Sequence, residues 1–183
     1  MDIYKNRRLV AKLAKNDFKT RYAGSYLGIV WAFIQPVITI LVYWFVFSVG
    51  FRSGTGDLGV PFVLYLVAGI VPWFFFQDAL IGGTNSLLEY NYLVKKVVFQ
   101  IDMLPVVTMI SALFTHLFFV AFTMVLFICM GYMPDWYALQ VIYYSFCMIL
   151  FATGLVYATS AVTVFFRDMK EVVGILLQIG MWV

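Results

Sequence analysis

Carboxylates are the first candidates for chemistry, because two of them held close together can act as general acid and base. The acidic residues between the apolar stretches of this chain are Asp57, Glu89, Asp102, Asp135, Asp168 and Glu171. No two of them have the spacing of a convincing catalytic pair, and no residues show the spacing of a metal site. We therefore expect no catalytic residue and no metal ligand in this chain.

Two further patterns contain residue types that occur at known sites, but the segments around them do not have the structure that such sites need. The segment Gly54–Gly59 matches the G-x-G-x-x-G pattern of dinucleotide-binding sites, which needs a strand before it and a helix after it. Here the pattern follows a long apolar stretch and runs into Pro61, so we interpret it as a flexible loop. Cys129 and Cys147 lie within apolar stretches and are interpreted as small hydrophobic residues.

The composition indicates the class of protein and the segments that form its helices. Apolar residues make up 64% of the 183 residues and charged residues 11%, against about 25% charged residues in an ordinary soluble domain. Soluble globules and disordered chains are both excluded by these values, so we expect an all-α integral membrane protein. The apolar stretches are Ile29–Gly50, Phe62–Ile81, Val106–Met130, Leu139–Phe166 and Val172–Val183.

The fifth stretch is shorter than the others. As a helix it covers about 18 Å, whereas the hydrocarbon core of a bilayer is roughly 30 Å thick. We therefore expect four complete spans and one truncated span, in a chain that is the N-terminal part of a longer protein.

The basic residues indicate the orientation of the chain. All 12 Lys and Arg residues except Arg52 lie before the first stretch, between the second and third, or between the fourth and fifth. The positive-inside rule then predicts a cytoplasmic N-terminus. This topology also accounts for the net charge of +3, so no nucleic-acid partner is expected.

Residues 3–19 have the pattern of an amphipathic helix with one basic face. The basic residues before the first stretch that we assign to this interface helix are Lys5, Arg8, Lys12, Lys15, Lys19 and Arg21. The apolar residues Ile3, Val10, Leu13 and Ala14 fall on the opposite face. This pattern predicts a helix lying in the cytoplasmic interface among anionic headgroups, and a plain topological anchor is the alternative.

Several local sequences indicate a particular protein family, which composition alone does not. They are residues 16–28 followed by Trp31 and Pro36, residues 69–76, residues 91–99 with Leu104 and Pro105, and residues 165–171 leading into 174–178. In these segments the chain resembles the permease subunit of polysaccharide ABC exporters, a family of the type-2 ABC exporter class that includes O-antigen and teichoic-acid exporters. The resemblance covers nearly the whole chain.

The resemblance implies a fold and a set of partners. Members of the family have six membrane helices and work as homodimers, each subunit bound to a cytoplasmic ATPase. They move polyprenyl-diphosphate-linked polysaccharide across the bacterial inner membrane, and we favour O-antigen over teichoic acid or capsule. The sequence has no Walker A motif, so we expect a transport subunit that binds no cofactor, with ATP and Mg²⁺ held by the partner ATPase. A membrane enzyme or a scaffold acting on lipid-linked glycans is the alternative.

The resemblance also divides the chain and assigns surfaces. Residues 1–28 form the interface helix and the approach to the first span, and residues 29–183 form the permease domain. The inner loop 82–105 contains an expected short helix, Asn85–Phe99, that couples to the ATPase. Its contact residues would be Glu89, Asn91, Tyr92, Lys95 and Lys96. Composition alone also fits a solvated loop.

Aromatic and polar residues within the spans complete the set of candidates. We hypothesise that Tyr65, Trp73 and Tyr143 face the conduit for the polymer, with an interfacial aromatic belt as the alternative for tryptophans near span ends. For the intramembrane polar groups we expect hydrogen bonds between helices at Gln35 and Gln77, an ion pair of Asp78 with a cation of the N-terminal helix, and a packing role for His116. Arg167 and Asp168 are expected to form the inner turn between the fourth and fifth spans.

Overall fold

The computed structural model describes residues 7–51, 59–90 and 101–182. Within these ranges it consists of helices and turns and has no strand, as expected for an all-α membrane protein. The α-helices are α1 (Arg7–Arg21), α2 (Trp31–Phe45), α3 (Phe62–Glu89), α4 (Leu104–Cys129), α5 (Gln140–Phe165) and α6 (Met169–Gly180).

Four helical segments are long and apolar enough to cross a membrane. They are Gly28–Gly50, Phe62–Glu89, Leu104–Cys129 and Trp136–Phe165, with mean hydropathy between 1.6 and 2.3. The first includes a 3₁₀ turn before α2 and a π turn after it, and the last includes a 3₁₀ turn before α5. These segments confirm the four complete spans expected from hydropathy.

Helix α3 is longer than the sequence indicates, and the expectation that an inner loop begins at Gly82 is wrong. Residues 85–89, assigned to a separate short helix, are the last residues of α3. The polar residues of this segment are bonded within the bundle. Thr84 Oγ1 lies 2.7 Å from Thr159 Oγ1 of α5, and Ser86 Oγ donates to the Gly83 carbonyl at 2.6 Å.

Helix α3 lies at the centre of the bundle and packs against α2, α4, α5 and α6. Small buried residues line its contacts, among them Ala79, Ala112 and Ala152, each at most 1% exposed. Small side chains let membrane helices approach closely, which is how such helices associate where lipid removes the hydrophobic driving force. Many large apolar side chains of α2 and α5 remain exposed on the outside, as lipid-facing residues do.

Helix α1 is amphipathic as predicted, but its apolar face is turned to protein. Val10 and Ala14 are buried against Met103 and Val107 at the start of α4. The helix is therefore docked on α4 through these residues, and its place in the cytoplasmic interface stays a prediction. The small side chain of Ala14 allows the close contact between the two helices.

Candidate functional site

An ionic cluster joins the end of α1 to α3. Arg21 Nη1 lies 2.8 Å from Asp78 Oδ1, and Arg21 Nε lies 3.0 Å from Asp17 Oδ2. Asp17 also accepts a hydrogen bond from the Tyr90 hydroxyl, directly after the last residue of α3. The ion pair expected for Asp78 is thus present, and α1 is bound to α3 at two points.

Burial and nearby charges have opposite effects on the pKa of Arg21. Burial lowers the pKa of its guanidinium, but the carboxylates of Asp78 and Asp17 outweigh this effect and raise the pKa above its ordinary value. The group therefore stays charged at any physiological pH. Close to it, a Cβ atom on Gly82 would lie 2.8 Å from Arg21 Nη2, so the absence of a side chain at this position makes room for the guanidinium.

A cavity of about 670 Å³ lies next to Asp78, between α2, α3, α4 and α6. Its polar side chains include three glutamine amides and two threonine hydroxyls, from Gln35, Thr39, Gln77, Thr115 and Gln178. Its aromatic lining includes Trp31, Tyr43, Trp73 and Trp182. Among its described lining residues, Asp78 is the single aspartate or glutamate and no lysine or arginine is present. The cavity therefore combines amides, hydroxyls and aromatic surfaces.

Two buried nitrogen atoms at this cavity have no hydrogen-bond partner in the part of the chain that the structure describes: Trp73 Nε1 and His116 Nδ1. The other ring nitrogen of His116 lies 3.4 Å from Ser145 Oγ of α5, and the ring packs against Phe75 with centroids 4.6 Å apart. These contacts fit the helix-packing role expected for His116. Among the described residues, no group of His, Cys, Asp and Glu could hold a metal ion.

Residues 8–183, which include every helix around the cavity, match the family described as ABC-2 type transporter. The chain belongs to the ABC-2 type transporter family. It is a multi-pass membrane protein with four spanning helices in the described part.

This ABC-2 transporter chain is similar to several proteins named O-antigen export system permease protein RfbA. It is 29% identical to the one from Myxococcus xanthus over 178 residues, which cover 97% of this chain and 67% of that protein. It is 24% identical to two from Klebsiella pneumoniae over 176 residues, which cover 93% of this chain and 65% of those proteins. The chain thus spans about two thirds of the length of the curated relatives that it matches.

The structure of the ABC-2 transporter chain does not bring the three predicted conduit aromatics together. Trp73 is half-buried and lines the cavity, with its ring against Gly180 of α6. Tyr65 and Tyr143 are 67% and 65% exposed on the outside of this subunit. Trp136 and Tyr137, at the start of the last long span, are also exposed, as residues of an interfacial belt are.

The predicted cytoplasmic surfaces are described only in part. Glu89 is exposed at the end of α3, whereas Asn91, Tyr92, Lys95 and Lys96 lie outside the described residues. Lys5 also lies outside them, and Arg8, Lys12, Lys15 and Lys19 are exposed on α1. Arg21 differs from these cations, since it is bound in the ionic cluster. Arg167 and Asp168 are exposed between α5 and α6, in the turn where they were expected.

Sequence reasoning missed several residues of this site. Asp17 and Arg21 are four residues apart, the spacing at which helical side chains meet, so this pair could have been found. Gln178 is a polar residue in an apolar stretch and carries the same signal as Gln35 and Gln77. For Tyr90 and Gly82 no local pattern indicates a role, because each depends on where α1 packs.

Proposed function

We propose that this chain is the permease part of an ATP-driven exporter of lipid-linked polysaccharide, with O-antigen as the favoured cargo. The observation that carries the proposal is the similarity, over 97% of the chain, to a protein named as an O-antigen export permease. The four spanning helices and the amide- and aromatic-lined cavity support the same role. Teichoic acid and capsule are the alternative cargoes.

The energy for transport comes, in this proposal, from a separate ATPase. The sequence contains no G-x-x-x-x-G-K-[ST] motif to hold the phosphates of ATP. In this proposal ATP and Mg²⁺ are bound by a cytoplasmic partner, as membership of the ABC-2 transporter family implies. Two copies of that partner serve two copies of the permease, because one small bundle of helices encloses no pore wide enough for a polymer.

The chain is placed in the inner membrane with its N-terminus in the cytoplasm. This orientation rests on the distribution of Lys and Arg, and it puts α1 and the turn containing Arg167 on the inner side. The exposed cations of α1 then face anionic lipid headgroups. The end of α3, with Glu89, lies on the same side, where the ATPase acts.

The ionic cluster gives a physical route for coupling between these parts. A force applied by the ATPase at Glu89 reaches α3 directly, since Glu89 is the last residue of α3. From α3 it passes to α1 through the Asp78–Arg21 pair and the Tyr90–Asp17 hydrogen bond. The three helices α1, α3 and α4 therefore move as one unit in this proposal.

Deletion of the gene tests the proposal. We expect lipid-linked glycan to accumulate inside the cell, and export to return only when the full-length permease and an ATPase with an intact Walker A lysine are both supplied. Cells that make no lipid-linked glycan at all would instead indicate a membrane enzyme. Export that continues without the ATPase would exclude an ATP-driven permease.

The coupling loop has its own test in the permease–ATPase complex. We expect alanine at Glu89, Lys95 and Lys96 together to reduce the ATPase turnover measured in the purified complex. Asp135→Asn, in the segment before α5 on the opposite side, is the control and should leave turnover unchanged. Equal turnover in both variants would exclude Glu89, Lys95 and Lys96 from the coupling mechanism.

A further inference from the structure

Helix α5 is bound to the end of α3 by a pair of threonine hydroxyls. Thr84 Oγ1 of α3 lies 2.7 Å from Thr159 Oγ1 of α5, and Thr84 is fully buried. Thr159 also donates to the backbone carbonyl of Leu155 at 3.0 Å, and a hydroxyl has one proton to donate. With that proton used within α5, Thr84 is the donor to Thr159. The link lies five residues before Glu89, the last residue of α3.

This bond differs from those of the other threonines in α5. Thr153 and Thr163 donate to backbone carbonyls four residues before them in the same helix, at 2.6 and 2.7 Å, as threonines within helices commonly do. The bond between helices depends on a close approach next to it. Val156 of α5 packs on Gly83 so tightly that a Cβ atom on the glycine would lie 2.3 Å from Val156 Cγ1.

Helix α5 is also bound to the start of α4. The Tyr157 hydroxyl donates to the backbone carbonyl of Asp102 at 2.9 Å, in the 3₁₀ turn before α4. Three positions after Asp102 stands Pro105, which has no N–H for the next 3₁₀ hydrogen bond, so a donor from another helix can use this carbonyl. Within the described part of the chain, α4 and α5 contact each other much less than either contacts α3. The Tyr157 bond therefore ties together two helices that are otherwise joined mainly through α3.

One turn of α5, residues 156–159, thus contacts both the end of α3 and the start of α4. We infer that this turn passes a displacement of the end of α3, where the ATPase acts at Glu89, on to α5 and α4, with Thr84 and Tyr157 as the positioning residues. The inference rests on the proposed export function and deepens it, because it adds α5 to the coupling route that runs through α1.

Loss of either hydroxyl should leave the fold intact. Hydrogen bonds between membrane helices contribute little to stability individually. The bond to the Asp102 carbonyl is exposed, so water can replace the phenol. The variants can therefore separate a role in transmission from a role in stability, since only the former changes how much export accompanies each ATP hydrolysed.

Removal of the two hydroxyls tests the inference in cells that make lipid-linked O-antigen. The variants are Tyr157→Phe, Thr84→Val and the double variant of the full-length permease, produced with its ATPase. Surface O-antigen is measured in the cells and ATP turnover in the purified complex. We expect the ratio of export to turnover to fall about threefold for each single variant and about tenfold for the double variant, the effect of one and two such hydrogen bonds.

Two matched controls remove a hydroxyl from the same helix without breaking a described bond to another helix. They are Thr153→Val, whose hydroxyl bonds its own helix, and Tyr144→Phe, whose ring is 64% exposed. Both should leave the ratio unchanged. Permease abundance, bound ATPase and thermal unfolding are measured for every variant, and the single variants carry the test if the double variant does not accumulate.

The outcomes separate this inference from the proposed function. A wild-type permease that leaves O-antigen inside the cell contradicts the export function itself. An unchanged ratio in Tyr157→Phe and Thr84→Val overturns only the transmission role. Export that falls merely in step with permease abundance also overturns it, since the hydroxyls would then serve stability alone. An equal fall of the ratio in Thr153→Val and Tyr144→Phe does the same, because any hydroxyl lost from α5 would then have this effect.

Discussion

Arg21 and Asp78, separated by 57 positions in the sequence, form a direct ion pair between the end of α1 and the C-terminal half of α3. Asp17 holds the same guanidinium from the preceding turn of α1. The pair therefore connects the amphipathic helix α1 to the central helix of the bundle. Its strength decides whether α1 and α3 move together.

Replacement of Arg21 should loosen α1. In Arg21→Gln the carboxylates of Asp17 and Asp78 lose their cation, and we expect a loss of about 1–3 kcal/mol of stability, because charged hydrogen bonds are lost at partly exposed groups. Amide hydrogen exchange of α1 in the purified permease measures the effect. Arg8→Gln on the exposed side of the same helix is the control and should leave the exchange of α1 unchanged. Equal protection in both variants would contradict the anchoring role.

A methyl group at Gly83 should disturb the contact between α3 and α5. An added Cβ atom would lie 2.3 Å from Val156 Cγ1, closer than atoms can approach, so the helices must separate. We expect Gly83→Ala to reduce stability by about 1–3 kcal/mol, although alanine favours the helix. Gly69→Ala on the same helix meets no atom within 4 Å and should be neutral or stabilising. Thermal unfolding in detergent distinguishes the two, and Val156→Ala should restore part of the stability of Gly83→Ala.

Overpacking at Ala14 should separate α1 from α4. Ala14 is fully buried against α4, so Ala14→Leu places extra atoms in a filled contact at a cost of about 1–3 kcal/mol. Ala11 is exposed on the same helix, and Ala11→Leu should have little effect on stability. Protease cleavage within α1 provides the measurement, with faster cleavage expected only for the buried position. Identical cleavage rates would show that α1 is not docked on α4.

Removal of the ring at Trp73 should impair both stability and export. The half-buried ring fills space beside Gly180, where a Cβ atom would lie 3.1 Å from Trp73 Cη2. We expect Trp73→Ala to lower stability by about 2–3 kcal/mol and to reduce glycan export, with Trp73→Phe retaining more of both. Tyr65→Ala, on the exposed surface of the same helix, is the comparison for stability. Unchanged export by a correctly inserted Trp73→Ala permease would argue against a role in the polymer path.

The spans could be predicted from the sequence because hydropathy alone determines which segments lipid accepts. The end of α3 could not be predicted in the same way. Thr84 and Ser86 look like loop residues, but their hydroxyls bond a neighbouring helix and the local backbone, so they remain inside the bundle. A polar residue is expected to be exposed only when no hydrogen-bond partner is available inside the bundle. Whether a partner is available depends on how the helices pack.

The residues of the site could be predicted from the sequence one by one, but their arrangement in space could not. A cation for Asp78 could be expected because an intramembrane carboxylate needs a partner, yet only the packing of α1 selects Arg21 among several candidates. The three glutamines carry a sequence signal as polar residues within spans. Their convergence on one cavity follows from the relative rotation of α2, α3 and α6, which no local pattern contains.

The docking of α1 has a consequence for the order of assembly. Ribosomes produce α1 first, but the residues that cover its apolar face, Met103 and Val107, emerge long after it. During that interval Val10 and Ala14 have no protein surface to meet, and the headgroup layer of the bilayer offers a temporary one. The apolar face of α1 is therefore covered by protein only after the start of α4 has been synthesised.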